Sequence, residues 1–275
     1  MNGNQQKQNL AGLFDRASET YGTHVDFFAD VGRHLVEHAS PKPGEHVLDV
    51  GCGRGAALFP AAEAVGPTGR VLGIDLAPGM VTLTGQEAKR RGLDSVEVRV
   101  GDAEAPEAAP GSVDLILGSL VAFLLPDIPG ALRHYAKILR PGGRLSLSTF
   151  VANDRLRWMP VADTLISFMP QQPPPDPLPH TNPRSWSDWL ISQMELTGYT
   201  GIDHVERQYD NVFPTPEHWW SWMESMAARA ATEAIPEDRR AEAKRAVFDA
   251  VDEIRDEAGR IVWTAVMRFT TAYRR

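Results

Sequence analysis

The chain has 275 residues, 43 % hydrophobic and 23 % charged, which suits one large α/β domain with a real core, with or without a smaller cap. Its net charge of −8 disfavours nucleic acid, whose binders present a basic face to phosphates. The single cysteine, Cys52, excludes an intrachain disulfide and a cysteine-based metal site and points to a reducing cytoplasm, and no apolar run approaches the roughly 20 residues of a membrane helix.

Met1 to Asn9 is polar and lacks the apolar core of a targeting signal. Residues 10–39 carry helical periodicity in two stretches, Leu13, Phe14 and Ala17, then Val25, Phe28, Val31, Leu35 and Val36, separated at Gly22-Thr23. Pro41, Pro43 and Gly44 end the second stretch. The pattern then alternates. Strands are expected at 46–50, 70–75, 95–100, 112–118 and 143–150, with helices at about 55–65, 78–91 and 128–139 between them. The tight basic cluster Lys89, Arg90 and Arg91 falls where the second of these helices ends, a placement that the helix dipole explains. Such alternation predicts a parallel sheet covered on both faces, a doubly wound α/β fold. Beyond Phe150 the signal thins. A helix fits 154–169, extended polyproline-like chain fits 170–179, a helix fits 185–197 and a strand fits 202–213. Two helices follow, opening at Thr215-Pro216-Glu217 and at Pro236-Glu237-Asp238, and a strand at about 261–272 closes the chain.

The strongest chemical signal is Val47-Leu48-Asp49-Val50-Gly51-Cys52-Gly53-Arg54-Gly55 at a strand-to-helix junction. Glycines there let the backbone turn tightly against a ligand, and the next helix offers N–H groups to a carboxylate. Gly51, Gly53 and Ala56 also satisfy a dinucleotide-loop spacing, so a nicotinamide-dependent dehydrogenase is one reading. Asp49 favours another, because an acid beside the loop suits an ammonium and repels pyrophosphate.

With this motif the sequence resembles the class I S-adenosylmethionine-dependent methyltransferases. Four further segments fit in order: Val71–Asp75, Val100–Ala103, Asp114–Ser119 and Leu139–Leu145. The resemblance covers residues 15 to 150 and implies a seven-stranded, mostly parallel Rossmann-like sheet in the order 3-2-1-4-5-7-6, strand 7 antiparallel. It implies a lid over residues 1–40, a cofactor-binding core over 41–150, and helical insertions with the last two strands over 151–275. The cofactor implied is S-adenosylmethionine, leaving as S-adenosylhomocysteine, held by Tyr21, Asp49, Gly51, Gly53, Gly55, Asp75, Leu76, Met80, Asp102, Ala103 and Ser119. Asp75 would meet the ribose hydroxyls, Asp102 and the Ala103 N–H the adenine, and Tyr21 the methionine end. The segment Phe14–Tyr21 resembles the lid of the small-molecule ubiquinone/menaquinone-type branch. No metal is expected, since Ser119 stands where catechol-type relatives place a magnesium-binding acid and Asn153-Asp154 then lacks a partner.

All seven tryptophans lie in the C-terminal half. Phe123, Trp186, Trp219, Trp220, Trp222 and Met223 are the expected lining of a hydrophobic acceptor pocket, suited to a terpenoid, polyketide or prenylated ring methylated on oxygen or carbon. Tyr21, His24, His180 and His218 are the leading candidates for a base, with His204 and Glu224 behind them. A non-catalytic cofactor-binding scaffold and a cyclase are the remaining alternatives. No nucleic-acid or membrane partner is expected, and a homo-oligomer would pair through the N- or C-terminal helices.

Overall fold

A computed structural model describes residues 3–170 and 183–275. The strands are β1 (His46–Val50), β2 (Arg70–Asp75), β3 (Val96–Val100), β4 (Val113–Ser119), β5 (Leu139–Asn153), β6 (Tyr199–Phe213) and β7 (Ile261–Arg274). The helices are α1 (Gly3–Ala17), α2 (Phe27–Ala39), α3 (Leu58–Val65), α4 (Pro78–Arg90), α5 (Ile128–Ile138), α6 (Arg155–Ser167), α7 (Pro183–Leu196), α8 (Pro216–Glu224), α9 (Arg229–Glu233) and α10 (Arg240–Glu253). One sheet runs β3-β2-β1-β4-β5-β7-β6, and β7 pairs antiparallel with both β5 and β6. This is the order that the methyltransferase resemblance implies.

Alternating side chains divide the sheet into two cores. Val47, Leu115 and Leu117 pack with α2 and α3, whereas Leu48, Val50 and Ile116 pack with α5 and α7. A third cluster joins Trp158, Val161 and Leu165 of α6 to Trp219 and Trp222 of α8 and Val247 and Val251 of α10. That cluster builds a helical layer beside the sheet's C-terminal edge strands and forms a wall of the apolar cavity described below.

The differences from the sequence reading are local. Helix α3 starts at Leu58 and not near residue 55, because Gly51, Gly53 and Gly55 take φ of 66°, 50° and 86° and keep the chain in a turn. Helix α1 starts at Gly3, seven residues before the periodic signal, and Lys7 pins its polar first turns to Asp102 at 2.7 Å. Helix α2, expected within a lid, is a core helix: Val31 and Leu35 are fully buried. The two expected C-terminal helices are three, since the short α9 intervenes and Glu237–Arg239 forms a 3₁₀ turn ahead of α10. The polyproline-like stretch from residue 171 onward, with His180, lies outside the described residues.

Candidate active site

Strand β1 is flanked by β2 on one side and β4 on the other, so a crevice opens at its C-terminal end, where open parallel sheets hold ligands. The loop Gly51–Gly55 forms its floor. A side chain at Gly51 would place its Cβ 2.5 Å from Val121, so only glycine lets β1 and the turn after β4 approach so closely. One half of the cleft is lined by Asp75, Leu76, Met80, Asp102, Ala103 and Ser119, and is roofed by Lys7, Leu10 and Phe14 of α1. Asp75 accepts the Gly53 N–H through Oδ2 and the Ala77 N–H through Oδ1, each at 2.9 Å. Burial raises its pKa, and these N–H groups offset part of the rise. Each carboxylate oxygen keeps a free lone pair. The Ala103 carbonyl accepts the Tyr135 hydroxyl.

The other half is lined by Asp49, Gly51, Gly53, Arg54 and Gly55 with Tyr21 and Ser119. Asp49 is 1 % exposed, and neither of its oxygens has a hydrogen-bond partner. Burial, then the negative charge of Asp75, lifts its pKa to about 8; the nearby Leu58 N–H offsets a little of this without forming a hydrogen bond. A buried carboxylate without a donor is costly. It marks a place for a cationic ligand group.

A third space of about 380 Å³ is apolar. Phe123, Phe150, Trp158, Trp219, Trp222, Met223 and Trp263 contribute much of its wall. All three spaces are lined by Tyr21 and Leu120, so they converge there. Tyr21 stacks on Phe28 at 4.5 Å, and burial, with Asp75 adding, pushes its phenol up, so it stays protonated through neutral pH. Leu120 holds a left-handed φ of 56° while its N–H donates to Ser148 Oγ at 3.0 Å. Such strain in a non-glycine residue is a recurrent property of active sites.

A methyltransferase-domain family profile matches residues 41–172. Nocamycin O-methyltransferase from Saccharothrix syringae is 36 % identical over 240 residues, 83 % of this chain and 86 % of that protein. The chain belongs to the class I S-adenosylmethionine-dependent methyltransferases. Aklanonic acid methyltransferase DauC from Streptomyces sp. (strain C5) is 41 % identical over 210 residues, 71 % of this chain and 94 % of that one. The YcgJ protein from Bacillus subtilis shares the fold, with a TM-score of 0.59 at 19 % identity over 90 % of this chain and 98 % of that one. The family's cofactor is S-adenosylmethionine, and the cleft of this methyltransferase fits it: an unpartnered carboxylate faces the space where an ammonium is required, and the loop is closed to any side chain at Gly51. The enzyme acts on a small molecule, and no helix among the described residues is long and apolar enough to cross a membrane.

The structure divides the expected pocket residues. Phe123, Trp219, Trp222 and Met223 line the apolar cavity. Trp220 turns away, lining a separate polar depression with Arg16, Glu224 and Lys244. Trp186 lies beside the cavity and not in its wall, edge-on to Phe123 at 6.2 Å. The candidate bases are displaced as well. His24 and His218 face each other at 5.7 Å and line none of the three spaces. Burial, then the neighbouring His218, lowers the pKa of His24. His204 is exposed on β6, and Glu224 belongs to the depression beside Trp220. Asp154, weighed as a metal ligand, accepts the Trp158 indole N–H at 3.2 Å. Sequence reasoning missed Arg54, Leu120, Phe150 and Trp263. Only Arg54 carried a signal, as a lone cation inside the glycine loop.

Proposed function

We propose that this methyltransferase transfers its methyl group to an acidic oxygen, a carboxylate or an enol or phenol that ionises readily, on a hydrophobic terpenoid, polyketide or prenylated-ring metabolite. One observation carries the reading: among the described residues the wall of the apolar cavity holds no carboxylate and no imidazole. None of these described residues takes a proton at neutral pH, since the phenol of Tyr21 remains protonated. On this reading the acceptor arrives ionised or loses its proton to water. The relative DauC is named for an acid, and the relative from Saccharothrix syringae is named an O-methyltransferase.

When bound, S-adenosylmethionine supplies a methyl group already activated on a sulfonium, so alignment can do much of the work, up to about 7–11 kcal/mol. Asp49 holds the donor's ammonium, and Asp75 uses its remaining lone pairs for the ribose hydroxyls. Leu76, Met80, Asp102 and the Ala103 N–H would hold the adenine. Gly51, Gly53 and Gly55 keep the backbone close to the donor. Ser119, Leu120 and Tyr21 bound the point where donor and acceptor meet, with Tyr21 closing over the methionine end. The aromatic wall binds the acceptor at roughly 25 cal/mol per Å² removed from water. Trp222 adds polarity, because its Nε1–H is buried without a partner and suits an acceptor oxygen. The single cysteine, Cys52, is buried, and one reduced thiol suits a cytoplasmic enzyme.

The test offers the enzyme radiolabelled S-adenosylmethionine with aklanonic acid, with the same molecule esterified, and with a neutral ring alcohol of similar size. Label should pass to the free acid alone. Label on the alcohol with none on the acid would contradict the reading.

A further inference from the structure

Three arginines line the Asp49 half of the donor cleft: Arg33, Arg54 and Arg91. Two are neutralised within the chain. Arg33 holds Asp30 at 2.8 Å and Glu37 at 2.9 Å. Arg91 holds Glu87 at 2.7 Å and lies over the Phe59 ring. Arg54 makes no ion pair among the described residues. Its Nη1 donates to the Ser18 carbonyl at 2.6 Å, and its Nε is buried with no acceptor.

The same cleft thus contains a buried guanidinium N–H lacking an acceptor and a buried carboxylate, Asp49, lacking a donor. Unpaired buried groups of either kind are costly, and each calls for an explanation such as a bound ligand, ion or water. A group carrying both an ammonium and a carboxylate answers both. We propose that Arg54 recognises the α-carboxylate of the donor's methionine end while Asp49 takes its ammonium, and that the Arg54–Ser18 bond latches the N-terminal segment to the bound donor. The inference rests on the family's cofactor and is independent of the acceptor. A guanidinium presents five N–H donors in a fixed fork, so one residue can hold the Ser18 carbonyl and a carboxylate together. Ser18 is 5 % exposed and directly follows α1, and Asp15 within α1 accepts the Gly79 N–H at 2.6 Å. What Arg54 feels is therefore transmitted to the helix that roofs the other half of the cleft.

The experiment is calorimetry with S-adenosylmethionine and with decarboxylated S-adenosylmethionine, which keeps the sulfonium and the ammonium. No acceptor is present. Wild type should bind the decarboxylated form about 10- to 100-fold more weakly, the range for a charged hydrogen bond. Arg54→Met should weaken the intact donor to that level and bring the two ligands within about 3-fold of each other. Arg54→Lys keeps the charge without the fork, so its ratio should fall between, and it carries the test if the methionine variant does not fold. Hydrogen exchange supplies the second readout: the intact donor should protect residues 13–24 in wild type and not in Arg54→Met. An undiminished ratio in both variants overturns the recognition, and equal protection in wild type and variant overturns the latch.

Discussion

At the scale of single residues, the informative groups are those whose partners are missing. Asp49 has a folded-state pKa near 8, above the usual carboxylate value of about 3.9. A carboxyl raised on folding stabilises the protein fully below its unfolded pKa, and that stability is lost as pH rises toward the folded value. In the ligand-free enzyme, Asp49 therefore makes stability fall between about pH 4 and pH 8. The donor's ammonium reverses this, so donor binding should release a proton at neutral pH, and affinity should rise between pH 5 and pH 7. Asp49→Asn should raise the ligand-free Tm at pH 8 yet weaken S-adenosylhomocysteine by about 10-fold or more, the size of a lost charged hydrogen bond. Calorimetry in two buffers of different ionisation enthalpy checks the proton, and the same heat in both refutes it. The acids at the strand ends were legible in sequence because glycine spacing and strand order fix them locally. The unpaired Nε of Arg54 and the left-handed Leu120 were not, because only the folded chain decides which buried atoms lack partners and which backbone is strained.

At the scale of elements, helix α8 shows what periodicity could and could not settle. At about 100° per residue, Trp219, Trp222 and Met223, spaced i, i+3 and i+4, share one face, and Trp220 points elsewhere. The structure follows that rule, so the division was present in the spacing although all four residues were expected together in the acceptor pocket. Trp222→Phe keeps an aromatic ring and removes the N–H; it should raise the acceptor KM about 10-fold, with a modest loss of Tm from the smaller ring. Trp220→Leu should lower Tm and leave the acceptor KM within about 2-fold. Steady-state kinetics with thermal melts separates the two, and equal KM effects would place Trp220 in the pocket after all.

Helix α1 is the second element of consequence. It meets the body of the protein through Lys7 on Asp102, Asp15 on Gly79, and Arg16 on Glu233 at 2.7 Å. Its polar first turns hid this role from sequence, since these contacts reach residues up to 217 positions away. Exposed ion pairs contribute only about 0–1 kcal/mol each, so any opening of α1 is resisted chiefly by the burial of Leu13 and Ala17. Removing residues 1–22 should leave a folded protein that releases S-adenosylhomocysteine at least several-fold faster. A stopped-flow release rate equal to wild type would show that α1 is no lid.

At the scale of the whole molecule, the sheet brings the donor cleft and the apolar cavity together at Tyr21 and Leu120, with the cap helices walling the second space. Residues up to about 150 were legible because the Rossmann-like half is punctuated by local glycines and prolines. The later half was legible as helices, strands and an apolar pocket lined by Phe123, Trp219, Trp222 and Met223, but not in the rest of its wall, which joins α2, α6, α8 and β7 across long sequence separations. Among the described residues no group of three acids, histidines or cysteines gathers as a metal site, and activity is expected to survive EDTA. Loss on chelation with recovery on adding magnesium would reinstate Asn153-Asp154.

The most direct test of an acceptor that ionises without help from the enzyme is kcat against pH at saturating donor and acceptor, for wild type beside the His24→Ala/His218→Ala double variant, using aklanonic acid. Both profiles should be flat from about pH 5.5 to 8.5 and agree within about 3-fold, because an acceptor carboxylate is ionised throughout that range. A wild-type limb at or below the ordinary histidine pKa of about 6.5, abolished in the double variant with most of the rate, would contradict the account.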